Sequence, residues 1–236
     1  MSDGKETRFA DRVGGCGVAI LILLASAVPG GAVTLPPGFV RLADVAPTIR
    51  QDVRYAGHDN FTGRPVAGYD AADCWLRRDA AEALARVQAD AEGQGLGLIV
   101  WDCYRPQRAT DAFVRWAGDA ADQAMKARFY PAVDKAKLFE EGYIGRRSGH
   151  STGLAVDLGL VGADGALLDF GSGFDLFDPR SWTASHAVGA PARTNRDRLK
   201  HLMETRGFTN YPREWWHYSL PASGDHAPVY DVPITR

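Results

Sequence analysis

Cysteine is scarce in this chain, with three in 236 residues. Cys16 precedes an apolar segment that reads as removable, so the rest of the chain holds only Cys74 and Cys103, enough for at most one disulfide. No Cys-His-Asn pattern accompanies Cys103, which argues against a thiol nucleophile. Excess charge is missing too. A formal net charge of -2 gives no electrostatic reason to expect nucleic acid or an anionic membrane as partner. Long hydrophobic runs are also lacking, since the longest, Val18 to Val28, is too short for a comfortable membrane span. There is no internal repeat and no low-complexity segment. With 45% hydrophobic and 24% charged residues, the chain has an ordinary globular composition and reads as one folded domain.

The N-terminal segment has the layout of a secretory signal peptide. A polar stretch carrying Arg8 and Arg12 leads into GCGVAILILLASAVPGGA, with small residues at Ala25 and Ala27, and at Gly30 and Ala32. The expectation is a leader over residues 1–32, cleaved near 27 or 32, and a functional domain over 33–236. An uncleaved anchor is disfavoured because Pro29, Gly30 and Gly31 break the run. The mature protein is therefore expected to be exported and periplasmic, without stable membrane insertion.

Residues Phe39 to Tyr69 are turn-rich and read as strand pieces and loops. Arg78 to Glu92 carries Ala81, Leu84, Ala85, Val87 and Ala91 at helical spacing, with Gly93 just beyond, and predicts an amphipathic helix. Leu96 to Tyr104 predicts a buried strand that ends at Arg105-Pro106, with a helix from Gln107 to Trp116 after it. Gly118 to Gly145 is mixed helix and loop. Gly153 to Val161 predicts a second buried strand, Asn195 to Arg206 a helix capped by Thr194 or Asn195, and EWWHYSL a final strand. Strands and helices do not alternate regularly. The fold class expected is α+β, a single domain with a central, mostly antiparallel sheet flanked by helices.

Two clusters carry chemistry. SGHSTGLAVD holds His150 and Asp157, and EWWHY holds Glu214 and His217. Two imidazoles and a carboxylate make a hydrolytic zinc site, whose open position holds a water with a pKa lowered to roughly 7. Glu214 is left over as the base. His150 and Asp157 have six residues between them, an odd offset that would put them on opposite faces of one straight strand. A shared metal requires a break there, and the Ser148 to Gly153 stretch supplies it. Any one of the four, alone, would read as a surface histidine or a capping acid. Together they read as a site.

The sequence resembles the VanX-type D-alanyl-D-alanine dipeptidases, zinc enzymes of the wider DD-peptidase family related in fold to the hedgehog signalling domain. RYAGHDNFTGRPVAGY, VWDCYRPQRA, SGHSTGLAVDL, FGSGFDLFD, NRDRLKHLMETRGF and EWWHY carry the likeness, in order, through most of residues 33–236. The resemblance implies one zinc per chain on His150, Asp157 and His217, with Glu214 as catalytic acid and base. It implies that Arg105 stabilises the transition state, that Ser148 binds the substrate carboxylate, and that Asp175 binds its ammonium. A permanently charged guanidinium opposite the metal answers the oxyanion without proton transfer. The rival role for Arg105 is a salt bridge to Asp102; for Ser148 it is a turn-stabilising hydroxyl, and for Asp175 a solvated acid. The expected substrate is D-alanyl-D-alanine, released as two D-alanines in peptidoglycan turnover. The alternatives are a D-alanyl-D-alanine carboxypeptidase or peptidoglycan endopeptidase with the same zinc chemistry, or a non-catalytic zinc module. His58, His186, His201 and His226 are expected to be structural or surface residues, and Trp215 and Trp216 to form core and pocket wall. The stretch from Gly118 to Tyr143 is expected to help wall the pocket. Oligomeric state is not encoded in any of these features.

Overall fold

The computed structural model describes residues 35–222 and 227–236, together with Met1. The expected leader, its cleavage points and His226 lie outside the described residues. In chain order the elements are β1 (Phe39–Arg41), α1 (Leu42–Val45), β2 (Arg50–Gln51), β3 (Trp75–Arg77), α2 (Arg78–Glu92), β4 (Gly97–Asp102), α3 (Gln107–Gly118), α4 (Lys126–Phe129), β5 (Ala155–Val161), α5 (Ala190–Thr205), β6 (Thr209–Asn210) and β7 (His217–Ser219). Among the described residues no helix is long and apolar enough to cross a membrane.

Five strands form the central sheet in the order β2-β4-β5-β7-β6, and β1 pairs with β3 in a separate ribbon. Only the β2–β4 pair is parallel. This is the α+β arrangement expected from the sequence. Every residue of β5 is buried, which explains its continuous apolar text, AVDLGLV, broken only by Asp157 and Gly159. Gly159 is needed for space: a Cβ there would lie 2.7 Å from the Trp101 ring on β4.

Helix α2 begins and ends where its apolar spacing predicts, and buries Ala80, Ala81, Ala83, Leu84, Val87 and Ala91. Its alanines let it lie close to the sheet, while full burial of Leu84 and Val87 contributes roughly 1.5–3 kcal/mol each. Alongside it α5 buries Leu199, Leu202 and Met203. A second, aromatic core collects Tyr55, Phe61, Tyr104, Phe113, Trp116 and Tyr130 under α3. Trp215 and Trp216 belong wholly to the first core, Trp215 stacked on Phe170 at 4.0 Å, and neither reaches the pocket wall expected of them.

Helix α5 starts five residues before the expected Thr194 or Asn195 cap. Gly189 is the N-cap and Pro191 sits in the first turn, where its missing N–H and fixed φ cost nothing. Within the helix Arg196 is buried. Its guanidinium is wholly buried and donates to the carbonyls of Phe170 (2.8 Å), Trp182 (2.7 Å) and Arg180 (2.9 Å) and to Ser172 Oγ (3.2 Å). One side chain thus latches the 170–182 loop to the body of the domain. Burial pushes its pKa down to about 10.

The last residues form a strap. Tyr230 N donates to Ser151 O (2.9 Å), Gln107 N donates to Tyr230 O (3.0 Å), and Ile234 N donates to Gly68 O (2.8 Å). Arg108 fixes the strap through Asp231, from its backbone N (2.8 Å) and its Nε (2.9 Å). Cys74 and Cys103 are joined as a disulfide, with Cα atoms 5.3 Å apart. The bond ties the entry to β3 to the residue that follows β4.

Candidate active site

One row of side chains crosses three strands at the same end of the sheet. Asp102 on β4 pairs with Asp157 on β5, which pairs with His217 on β7. The row exists because β4 is bulged: Val100 opposes Leu158 while Asp102 opposes the next residue, Asp157, leaving Trp101 as the extra residue. A bulge of this kind re-aims a side chain by one position. Without it Trp101 would stand opposite Asp157.

His150 reaches the row from a 3-10 turn, Gly149–Thr152, just before β5. Ser148 caps that turn, its Oγ accepting from His150 N at 3.2 Å. Gly153 closes it at φ 74°, and a Cβ there would fall 2.3 Å from the Phe39 ring. Glycine is required on both counts. The break expected between His150 and Asp157 is this turn. A second bend precedes β7, where Glu214 N donates to Tyr211 O (3.0 Å) and His217 N to Glu214 O (3.3 Å). Asn210 Nδ2 clamps it by donating to Glu214 O and His217 O, both at 3.0 Å. Glu214 therefore lies in a turn, outside the strand that EWWHYSL suggested.

The metal-donor atoms converge. His150 Nε2 is 3.1 Å from His217 Nδ1 and 3.3 Å from Asp157 Oδ1, and the last two are 3.0 Å apart. Tetrahedral bonds of about 2.0–2.1 Å place ligand atoms about 3.3 Å from one another, so this tripod fits a small divalent ion such as zinc. The opposite ring nitrogens are already engaged. His150 Nδ1 lies 2.7 Å from Cys103 O and His217 Nε2 lies 3.3 Å from Ser219 Oγ, partners that orient both rings with their other nitrogens towards the tripod. Burial works to raise the pKa of Asp157, but the two histidines outweigh it and hold the group below the usual carboxylate range.

A cavity of about 300 Å³ opens over the tripod, and all seven residues singled out in the sequence line it: Arg105, Ser148, His150, Asp157, Asp175, Glu214 and His217. Gly142 and Tyr143 add wall from the segment expected to supply it. Glu214 Oε2 is 3.8 Å from His217 Nδ1. Desolvation raises its pKa, an effect partly offset by His217, which suits a carboxylate that must take and return a proton. Arg105 makes the salt bridge and also lines the cavity. It is half-buried, and the bridge to Asp102 spans 2.7 Å. Burial disfavours its charge, but Asp102 more than compensates and its pKa rises. Its guanidinium lies over the rings of Phe113 and Tyr55, 5.0 and 5.2 Å from their centroids. Ser148 likewise caps its turn and lines the cavity.

Asp175 is not a solvated acid. It is buried, and it is the one non-glycine residue with positive φ (61°) among the described residues. Such backbone strain concentrates at functional positions. Tyr55 OH donates to its Oδ2 at 2.7 Å, while desolvation and then the charge of Asp157 push its pKa well up. Tyr55 was not legible as a site residue: its partner is 120 positions away, and only its place in the RYAGHDNF stretch singled it out. His186 and His201 are exposed, and His58 Nδ1 lies 3.2 Å from Gly63 O, so none of the three joins the site.

The family profile described as D-ala-D-ala dipeptidase matches residues 36–235. The D-alanyl-D-alanine dipeptidase of Streptomyces coelicolor is 42% identical over 197 residues, 83% of this chain and 98% of that protein. Its counterpart from Enterococcus faecalis is 41% identical, covering 78% of this chain and 91% of that one. A third, from Enterococcus faecium, is 38% identical over 84% of this chain and 98% of its own length. The chain belongs to the D-ala-D-ala dipeptidase family.

Proposed function

We propose that this protein is a zinc dipeptidase that hydrolyses D-alanyl-D-alanine to two molecules of D-alanine. The observation that carries the reading is a candidate metal tripod, an adjacent carboxylate outside it and a half-buried arginine sharing one cavity of about 300 Å³. That volume is at the small end for ligand sites and suits a dipeptide better than a stem pentapeptide.

His150, Asp157 and His217 would hold one zinc. When bound, it polarises the scissile carbonyl and lowers the pKa of a water to roughly 7. Glu214 takes the water's proton and returns it to the leaving amine. Arg105 faces the carbonyl oxygen as negative charge develops there, and needs no proton transfer to answer it. Ser148 receives the substrate carboxylate and Asp175 its ammonium. A non-catalytic zinc module would need neither a free Glu214 nor a cavity-facing Arg105.

Export to the periplasm is part of the proposal. The leader-like N-terminal sequence supports it, and so does the Cys74–Cys103 disulfide, a bond that persists in oxidising compartments. The test is D-alanine release by the zinc-loaded protein from D-alanyl-D-alanine, an acyl-blocked dipeptide and a stem pentapeptide, each with and without chelator. Chelator-sensitive cleavage confined to the free dipeptide is expected. Cleavage of the blocked or longer substrates would move the assignment to carboxypeptidase, and no cleavage at all would favour a binding module.

A further inference from the structure

We propose that Asp102 is a positioning residue: its one carboxylate sets the Arg105 guanidinium and the His150 ring in register with each other. The inference rests on the roles of Arg105 and His150 given above. Asp102 is wholly buried and has four donors. Oδ1 accepts from Tyr69 OH (2.5 Å) and Cys103 N (3.0 Å), while Oδ2 accepts from Arg105 Nε (2.9 Å) and lies 2.7 Å from Arg105 Nη2. The same Oδ2 is 3.4 Å from His150 Nδ1, beside the 2.7 Å bond from that nitrogen to Cys103 O.

The geometry divides the guanidinium into two edges. Asp102 takes the Nε and Nη2 edge. Nη1 is left towards Ser148 Oγ at 3.5 Å, a residue of the cavity wall. Phe113 and Tyr55, their ring centroids 4.9 Å apart, pack together on one side of the guanidinium, so the carboxylate and the two rings between them constrain its edge and its plane. A fold needing only stability would not bury this carboxylate, because a buried ion pair is often no better than apolar side chains of equal volume. Nor would regular pairing put it there, since the bulge at Trp101 is what brings Asp102 into the row with Asp157 and His217. The strand is bent to present this carboxyl group to the two residues on either side of the reacting carbonyl.

The experiment uses the full-length zinc enzyme and Asp102→Asn, which keeps the size of the side chain but removes its charge. Three quantities are compared with wild type: bound zinc, kcat and KM on D-alanyl-D-alanine, and inhibition by a phosphinate dipeptide that mimics the tetrahedral state. Zinc should remain, KM should change little, and kcat should fall roughly a hundredfold, in the range seen when an oxyanion donor is lost. The phosphinate should weaken in parallel with kcat, because positioning matters most in the transition state. Adding Arg105→Lys to Asp102→Asn should cost clearly less than the product of the two single losses, since the carboxylate acts in part through that guanidinium. Tyr69→Phe, which removes a single bond to the same carboxylate, should lower kcat several-fold with KM unmoved, and it serves if Asp102→Asn does not fold. Unchanged kcat in both variants, or losses that multiply independently with Arg105→Lys, would overturn the assignment. Wild-type turnover tests the dipeptidase reading separately, so the two failures are distinguishable.

Discussion

Opening the disulfide between Cys74 and Cys103 should cost the folded state about 3.6 kcal/mol at 25 °C. The bonded cysteines are 29 residues apart. In the chain-entropy treatment a loop of that length removes about 12 cal/mol/K from the unfolded ensemble, and multiplying by temperature gives the figure above. For a domain of about 200 residues each kcal/mol corresponds to about 2–4 °C, so Tm should fall by about 7–14 °C. The measurement is urea unfolding of oxidised and phosphine-reduced wild-type protein, with both cysteines kept so that no cavity is made at these buried sites. A phosphine is preferred because thiol reductants bind zinc. The oxidised form should show the higher midpoint, and a smaller m-value because its unfolded chain stays more compact. A free-energy difference below about 1 kcal/mol would refute the loop-entropy reasoning, and would mean that the reduced unfolded chain already keeps the two segments together.

Glu214→Ala should retain zinc and lose nearly all turnover, whereas His217→Ala should lose zinc itself; metal analysis beside a dipeptide assay separates the two, and near-normal turnover of the first would sink the base assignment. Arg196→Met should destabilise by about 1–3 kcal/mol, because the buried Phe170 carbonyl loses its donor, with a smaller addition from the half-buried bonds to Trp182 O and Arg180 O. Chemical denaturation measures it, and a loss under 1 kcal/mol would show that the 170–182 loop is held by other contacts. The side-chain hydrogen bond from Arg108 lowers the Asp231 pKa in the folded state, so its stabilisation is present above the unfolded value of about 3.9 and is lost as pH falls through the folded value. The Tm gap between wild type and Asp231→Asn should therefore be open at pH 6 and close towards pH 3, and a gap independent of pH would refute the linkage. The pair is solvent-exposed, so the effect should be small.

Periodic segments are legible in the sequence. The α2 spacing gave both ends of the helix, and the unbroken apolar text around Asp157 gave β5, because burial on one face or on both leaves a direct imprint on composition. Strongly local chemistry misled at α5, where Thr194 and Asn195 look like a cap but Gly189 and Pro191 start the helix first. The seven site residues were legible because glycines and aromatics frame them in short motifs. What holds them was not. Asp102 enters the row through a bulge, which depends on pairing between strands some 55 residues apart, and Arg196 meets its carbonyls only after the 170–182 loop has folded back. Tyr55 finds Asp175 across 120 residues. None of these long-range contacts has a spacing that a linear pattern can register.

The position of the strap and of β7 has a consequence for how the molecule comes into being. His217 and every strap residue from Tyr230 to Ile234 lie in the last twenty residues of the sequence, and the strap contacts the turns that carry His150 and Arg105. A ribosome making this chain finishes β4 and β5, both long helices of the first core and two of the three side chains of the donor tripod, His150 and Asp157, before His217 is synthesised. A chain that has not yet reached His217 therefore has two corners of the donor tripod and lacks the third.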